Sequence, residues 1–251
     1  MTDPVLYEAS GGVAKLTLNQ PDNRNAMSPA LLDGLGSRLE SAVADETVRV
    51  IVLTNNGPAF CAGADLKGGG LAPSSFDLPR ILIGMQDSPK PVVGRIAGHC
   101  MGGGVGLAAA CDISIARSDA KFGFTEVRIG AAPAIISVVC LPKMRRGDAL
   151  ELFLSGERIT AERAQQVGLV NLVAGENEFD AVVESTVGKL LAGGPNALAA
   201  SKRLVYDVPG IEREDAFART AAISRDLFAS PEAQEGMAAF RERRSPRWAP
   251  G

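Results

Sequence analysis

Two glycine-rich stretches constrain this chain more than anything else in it: "AGHCMGGGVGLAAACD" at residues 97–112 and "AFCAGADLK" at residues 59–67. Each follows a short β-rich run and is predicted to end in a tight turn into a helix. Only glycine lets bare backbone come this close to another group without a Cβ in the way. One or two of these glycines suit close packing of a short helix on a strand. Two such turns together also allow one N–H from each to point at a single carbonyl oxygen, the more so because a helix start carries the positive end of the dipole.

A nucleotide-binding loop is the competing explanation for the same residues. "GVGLAA" (104–109) fits the G-x-G-x-x-A form. Only about eight residues separate Gly104 from the strand-like "DISIA" (112–116), too few for the crossover helix such a fold needs. No G-x-x-x-x-G-K-[ST] occurs in the sequence.

The rest of the pattern is that of an α/β protein. "VLYEASGGVAKLTLN" alternates about Gly11-Gly12 and predicts a hairpin. "SPALLDGLGSRLESAVAD" predicts a helix with Ser28 as N-cap, Pro29 in the first turn, and a buried face of Leu31, Leu35, Leu39 and Ala42 or Val43. Strands are predicted at 48–54, 91–97 and 112–116, with a helix over 75–87. From about residue 145 the pattern is helical, interrupted by the short strand "GLVNLVA" and closed by four amphipathic stretches. We divide the chain into a core, 1–195, and a helical C-terminal region, 196–251, within one structural unit.

Composition removes several functions. A net charge of −3 over 251 residues gives no basic footprint for nucleic acid. No apolar run reaches the ~20 residues of a membrane span, and "MTDPVLYEAS" has no signal-peptide pattern, so a cytoplasmic protein without a membrane partner is expected. The cysteines, Cys61, Cys100, Cys111 and Cys140, form no C-x-x-C pair, and His99 is the only histidine. Buried reduced thiols and no metal site are expected.

Taken in order, "LTLNQPDNRNAMS", "AFCAGADLK", "GGGVGLAAACDISIA", "FGFTEVRIG", "LSGERITAERAQQVGLV" and "EGMAAFRERR" resemble the crotonase (enoyl-CoA hydratase/isomerase) superfamily nearly end to end. The resemblance implies an α/β crotonase fold, a spiral ββα core with two small sheets and C-terminal helices that form a homotrimer or homohexamer. It implies an acyl-CoA thioester as the partner and no cofactor beyond the CoA that the substrate carries. By motif position, the N–H groups of Ala64 and Gly103 form an oxyanion hole. Arg24, Ala26, Ala62, Asp65, Leu66 and Lys67 line the CoA path, and Phe240 and Arg243 reach a neighbouring subunit's CoA. Lys67 and Arg243 also fit solvated surface charges.

Two-glutamate hydratases of the family carry one acid in the glycine-rich helix and one in the "FGxxE" block. The first position is Gly106 here; the second is Glu126. The chain is therefore expected to belong to a single-glutamate branch, with Glu126 as general acid/base at a pKa raised by burial near Phe122, Phe124, Val127 and Ile129. The alternative for Glu126 is a salt bridge to Arg128. His99 is a weaker candidate for proton transfer, and Asp112 is expected to anchor backbone.

Three functions follow from the resemblance. Hydration of a 2-enoyl-CoA comes first, with a branched or carboxylated acyl group of the methylglutaconyl-CoA kind. Isomerisation of a 3-enoyl-CoA to the 2-enoyl form, with the same glutamate, comes second. A non-catalytic acyl-CoA binding protein comes third.

Overall fold

The computed structural model describes residues 3–66 and 74–249. Strands β1 (Val5–Ser10) and β2 (Val13–Leu18) form the expected hairpin, and Gly11 and Gly12 both hold positive φ in its two-residue turn. Helix α1 (Pro29–Ala44) starts as its sequence dictates: the Ser28 hydroxyl accepts from the Leu31 N–H, and Pro29 opens the first turn. Its buried face is Leu31, Leu35, Gly36, Leu39 and Ala42.

The chain then shuttles between two sheets. It runs through β3 (Val50–Asn55), β4 (Ala59–Cys61), α2 (Leu78–Asp87), β5 (Val92–Ile96), β6 (His99–Met101), α3 (Gly103–Ala110), β7 (Ile113–Arg117) and β8 (Lys121–Gly123). Helices α4 (Ala134–Cys140) and α5 (Arg146–Ser155), strand β9 (Arg158–Thr160), helix α6 (Ala161–Gln166) and strand β10 (Leu172–Ala174) follow. Helices α7 (Phe179–Leu191), α8 (Pro195–Asp207), α9 (Arg213–Ala229) and α10 (Pro231–Glu242) complete it.

The larger sheet is ordered β1-β2-β3-β5-β7-β10, and the smaller β4-β6-β8-β9. Each passage from β3 to β8 drops one strand in one sheet and the next in the other, a spiral that stacks β4, β6 and β8 in parallel. Strand β3 is buried along its whole length, which explains the apolar run of its first four residues, Val50 to Leu53. Its alternate residues serve two cores. Ile51 and Leu53 join the main cluster with Phe60, Leu107 and Phe122, while Val50 and Val52 meet Phe179, Val183 and Leu191 under α7.

The C-terminal helices are tied to this core by one buried and one half-buried cation. Lys202 of α8 is 9% exposed; its Nζ lies 2.8 Å from Asp112 Oδ2 and donates to Met85 O at 2.7 Å. Asp112 does anchor backbone as expected, accepting the Val92 N–H at 2.7 Å, but the lysine opposite it was not foreseen. Arg49 donates to the carbonyls of Gly193 and Trp248. Among the described residues no helix is long and apolar enough to cross a membrane.

Candidate active site

The parallel strands β4, β6 and β8 all point their C-terminal ends the same way, and the glycine turns leave from that edge. Gly63 holds φ +87° and Gly102 φ +50°, which L side chains rarely adopt. The turns touch: a Cβ on Gly63 lies 2.9 Å from Met101 O and 3.5 Å from Gly103 N. Gly104 has no more room, because a Cβ there falls 2.9 Å from the Cys61 carbonyl carbon. So packing of α3 on β4 accounts for Gly104, while a Cβ on Gly103 falls 2.9 Å from Met27 Sδ and one on Gly102 meets the Glu126 carboxylate, all four residues belonging to one cavity lining.

The helix after the second turn is the short one expected, eight residues, which excludes the dinucleotide reading. The first segment differs from expectation. It enters no helix within its described residues; Ala64 forms an isolated parallel bridge with Met27, whose N–H donates to Gly63 O at 2.8 Å. In a parallel bridge of this kind the Ala64 N–H points away from Met27, and Ala64 is exposed. Gly103, as the first residue of α3, has an N–H that the helix itself leaves without an acceptor.

Glu126 stands in the 3-10 helix Thr125–Ile129 directly after β8. The Gly102 N–H donates to Gly123 O at 2.9 Å, binding the two strands so that the Glu126 carboxylate lies over Gly102; a Cβ at Gly102 falls 3.1 Å from its Oε1. Glu126 Oε2 is buried and has no hydrogen-bond partner. Burial raises the carboxyl above its ordinary pKa, against a smaller opposing contribution from its own backbone N–H. No salt bridge to Arg128 forms. Phe122 and Phe124 are buried as expected, whereas Ile129 is exposed on the cavity wall.

These groups line one cavity of about 590 Å³. Ala62, Ala64, Leu66, Gly103 and Glu126 meet there, together with Arg128, Ile135, Ile136 and Arg158. A second cavity of about 300 Å³ adjoins it and shares Ala62 and Arg158; Arg24, Ala59, His99 and Met101 complete most of its wall. His99 therefore faces the second cavity and not Glu126, and its Nδ1 accepts the Lys121 N–H at 3.1 Å.

The "RNA" tripeptide divides its work. Arg24 lines the second cavity, Ala26 is buried, and Asn25 is fully buried with φ +52°. Asn25 donates to Asn56 O and Ala59 O and accepts the Gln20 N–H, fastening this loop to the start of β4. Ala62 N–H donates to Arg24 O at 3.1 Å, which joins the two expected CoA segments. Asp65 is half-buried and lies outside both cavity linings. Lys67 lies outside the described residues. Phe240 is 86% exposed and Arg243 caps α10 in the left-handed conformation, and neither lines either of these two cavities.

The sequence reading missed Arg158, Met27 and Leu78 as cavity residues. Only the antiparallel pairing of Gly123 with Arg158 puts β9 at the site, and no motif announced it. All four cysteines are buried; burial pushes the thiols of Cys61, Cys111 and Cys140 to about 12, so none is a thiolate nucleophile.

The family model described as enoyl-CoA hydratase/isomerase matches residues 8–250. A 2,3-dehydroadipyl-CoA hydratase of Escherichia coli is 33% identical over 239 residues, covering 93% of this chain and 94% of its own. A mitochondrial methylglutaconyl-CoA hydratase of Mus musculus is 29% identical over 97% of this chain and 81% of its own. Among solved structures, an enoyl-CoA hydratase from Mycobacterium smegmatis superposes with a TM-score of 0.91 at 33% identity, covering 98% of each chain.

Proposed function

Because the chain belongs to the enoyl-CoA hydratase/isomerase family and has the crotonase fold, we propose that it hydrates a 2-enoyl-CoA with Glu126 as its one general acid/base. The observation that carries this reading is the Glu126 carboxylate: half-buried, with one oxygen unpartnered, and the single acid on the cavity wall among the described residues.

The substrate's C=C is conjugated to its thioester carbonyl. Water adds at C3 while Glu126 takes one of its protons, and negative charge passes through C2 to the thioester oxygen. The Ala64 and Gly103 N–H groups hold that oxygen. Fixed donors of this kind stabilise the charged transition state more than the neutral ground state, each by ~2.7–4 kcal/mol where one has been removed from an enzyme. Glu126, now protonated, returns the proton to C2, and the carboxylate is regenerated. One water is added and no redox change occurs.

The CoA moiety is assigned to the second cavity, with Arg24 and Ala62 on its wall; Ala26, Asp65, Leu66 and Lys67 are assigned to it by motif position in the sequence. Phe240 and Arg243 serve a neighbouring subunit's CoA in a trimer or a pair of trimers. Exposed Val205, Phe217, Phe228 and Phe240 on the C-terminal helices support such an assembly. A branched or carboxylated acyl group, as in the names of the two curated relatives, is the expected substrate.

One acid on the cavity also suits isomerisation, in which Glu126 removes a C2 proton from a 3-enoyl-CoA and delivers it to C4. Incubation with matched 2-enoyl- and 3-enoyl-CoA panels, read by mass spectrometry, separates the two. Hydration adds the mass of water to the 2-enoyl substrate. Loss of 3-enoyl substrate with no mass change, and no action on 2-enoyl-CoA, replaces the hydratase reading by the isomerase one.

A further inference from the structure

The acyl cavity carries more positive charge than its chemistry requires. Arg128 and Arg158 both line it, and neither forms an ion pair or side-chain hydrogen bond among the described residues. Arg24, Arg146, Arg225, Arg241 and Arg243 share that state among the described residues, but none of them lines this cavity, and other arginines are paired. Arg95 pairs with Asp180, Arg163 with Asp148 and Glu151, and Arg244 with Glu235 and Glu242. The protein as a whole is acidic, at −3, yet the cavity holds two guanidiniums against the lone carboxyl of Glu126. Protonation of Glu126, which its burial favours, leaves the excess larger still.

The two arginines are seated differently. Each stem lies over a glycine: a Cβ on Gly156 falls 3.2 Å from Arg128 Nε, and a Cβ on Gly123 falls 3.4 Å from Arg158 Cγ. Arg158 borders both cavities, so it stands at the junction between the acyl and CoA sides. Arg128 borders the acyl cavity alone, two residues beyond Glu126, beside the apolar wall of Ile129, Pro133 and Ile135.

We propose that Arg128 is a specificity-determining residue that binds a carboxylate on the acyl group, so that the preferred substrates are CoA thioesters of dicarboxylic acids. A guanidinium matches a carboxylate in a two-bond fork, and the exposed Arg128 side chain offers one at the cavity edge. The inference rests on the acyl-CoA reading of this cavity and deepens it, but it does not depend on turnover.

The test is calorimetric titration of the purified full chain with adipyl-CoA and with hexanoyl-CoA, saturated thioesters that bind without reacting. Hexanoyl-CoA ends in a methyl group where adipyl-CoA ends in a carboxylate. The unsubstituted protein is expected to bind adipyl-CoA about tenfold more tightly or better, a difference that one charge-assisted pair supplies. In Arg128→Leu the ratio of the two dissociation constants falls toward one, and Arg128→Lys keeps part of it. Arg146→Leu, an equal charge change on α5 outside both cavities, leaves the ratio where it was. Equal binding of the two thioesters by the unsubstituted protein overturns the proposal, whatever the variants do. So does an Arg128→Leu variant that weakens both thioesters and free CoA alike, which makes the residue a CoA contact. Adipyl-CoA selectivity without hydration of any enoyl-CoA leaves this inference standing and removes the hydratase reading. Hydration with a preference for neutral acyl groups does the reverse.

Discussion

The side chain of Ile136 stands where a side chain on Gly106 would begin: a Cβ added to Gly106 lies 2.9 Å from the Ile136 Cβ and nearer still to its Cγ2 methyl. Helices α3 and α4 thus close over the position from which two-glutamate hydratases are expected to present their first acid. Gly106 is fitted to its neighbour, and the space a glutamate would need is filled by hydrocarbon that also walls the acyl cavity.

Gly106→Ala tests that fit. In an open helix the change stabilises by ~1 kcal/mol. Here overpacking, worth ~1–3 kcal/mol, outweighs it, so a net loss of stability is expected in urea denaturation. Ile136→Ala relieves the clash, and the two substitutions together are expected to fall short of the sum of their separate losses by at least ~0.5 kcal/mol. Strict additivity contradicts the account. Gly106→Glu, for the same reason, is expected to destabilise the chain and to give no gain on straight-chain enoyl-CoA.

The pH dependence follows from Glu126. Its folded-state pKa is raised above 4.5 by burial, and the proposed first step needs the carboxylate. Activity, read as kcat/KM, is therefore expected to rise with pH through a midpoint above that ordinary value. The stability sign is opposite. A carboxyl with a raised folded pKa favours the fold while protonated, and that contribution is lost as pH rises through the raised value. Glu126→Gln, which cannot ionise, is expected to gain stability relative to the unsubstituted protein between about pH 4 and about pH 7. Parallel pH–stability curves for the two proteins refute this.

Lys202 and Asp112 give a stability prediction away from the site. Burial raises the Asp112 pKa in spite of the lysine, so the carboxylate relies on Lys202 and on the Val92 N–H for its charge. Lys202→Met leaves that charge without its partner, and a loss of ~3–5 kcal/mol is expected in chemical denaturation. Adding Asp112→Asn is expected to recover part of it. A loss below ~1 kcal/mol, the range of an exposed pair, contradicts the account.

Local features of the fold were legible because they are written in adjacent residues. Ser28-Pro29 starts a helix, Gly11-Gly12 turns a hairpin, and "FGFTE" carries Glu126 to the end of a strand. What could not be read depends on contacts across long stretches of chain. Nothing near Gly106 says that Ile136 fills it, and nothing near Asp112 says that Lys202 arrives from α8. Nothing in "SGERIT" says that Arg158 borders the cavity; the pairing of β9 with β8 puts it there. Nothing in the tripeptide "RNA" says that its asparagine is a buried anchor, fastening the loop to the start of β4. The first glycine segment was expected to end in a tight turn into a helix; its described residues, through Leu66, carry a bridge to Met27 and no helix.

The central claim, that Glu126 moves the proton during addition of water, is tested most directly in ¹⁸O-labelled water with the unsubstituted protein and Glu126→Gln side by side. With a preferred 2-enoyl-CoA, the unsubstituted protein is expected to yield a 3-hydroxyacyl-CoA carrying one labelled oxygen. Glu126→Gln is expected to bind the saturated thioester with little change and to incorporate label at least ~10²–10⁴-fold more slowly. Incorporation at a similar rate in both proteins, or none in the unsubstituted protein with any 2-enoyl-CoA offered, contradicts the account.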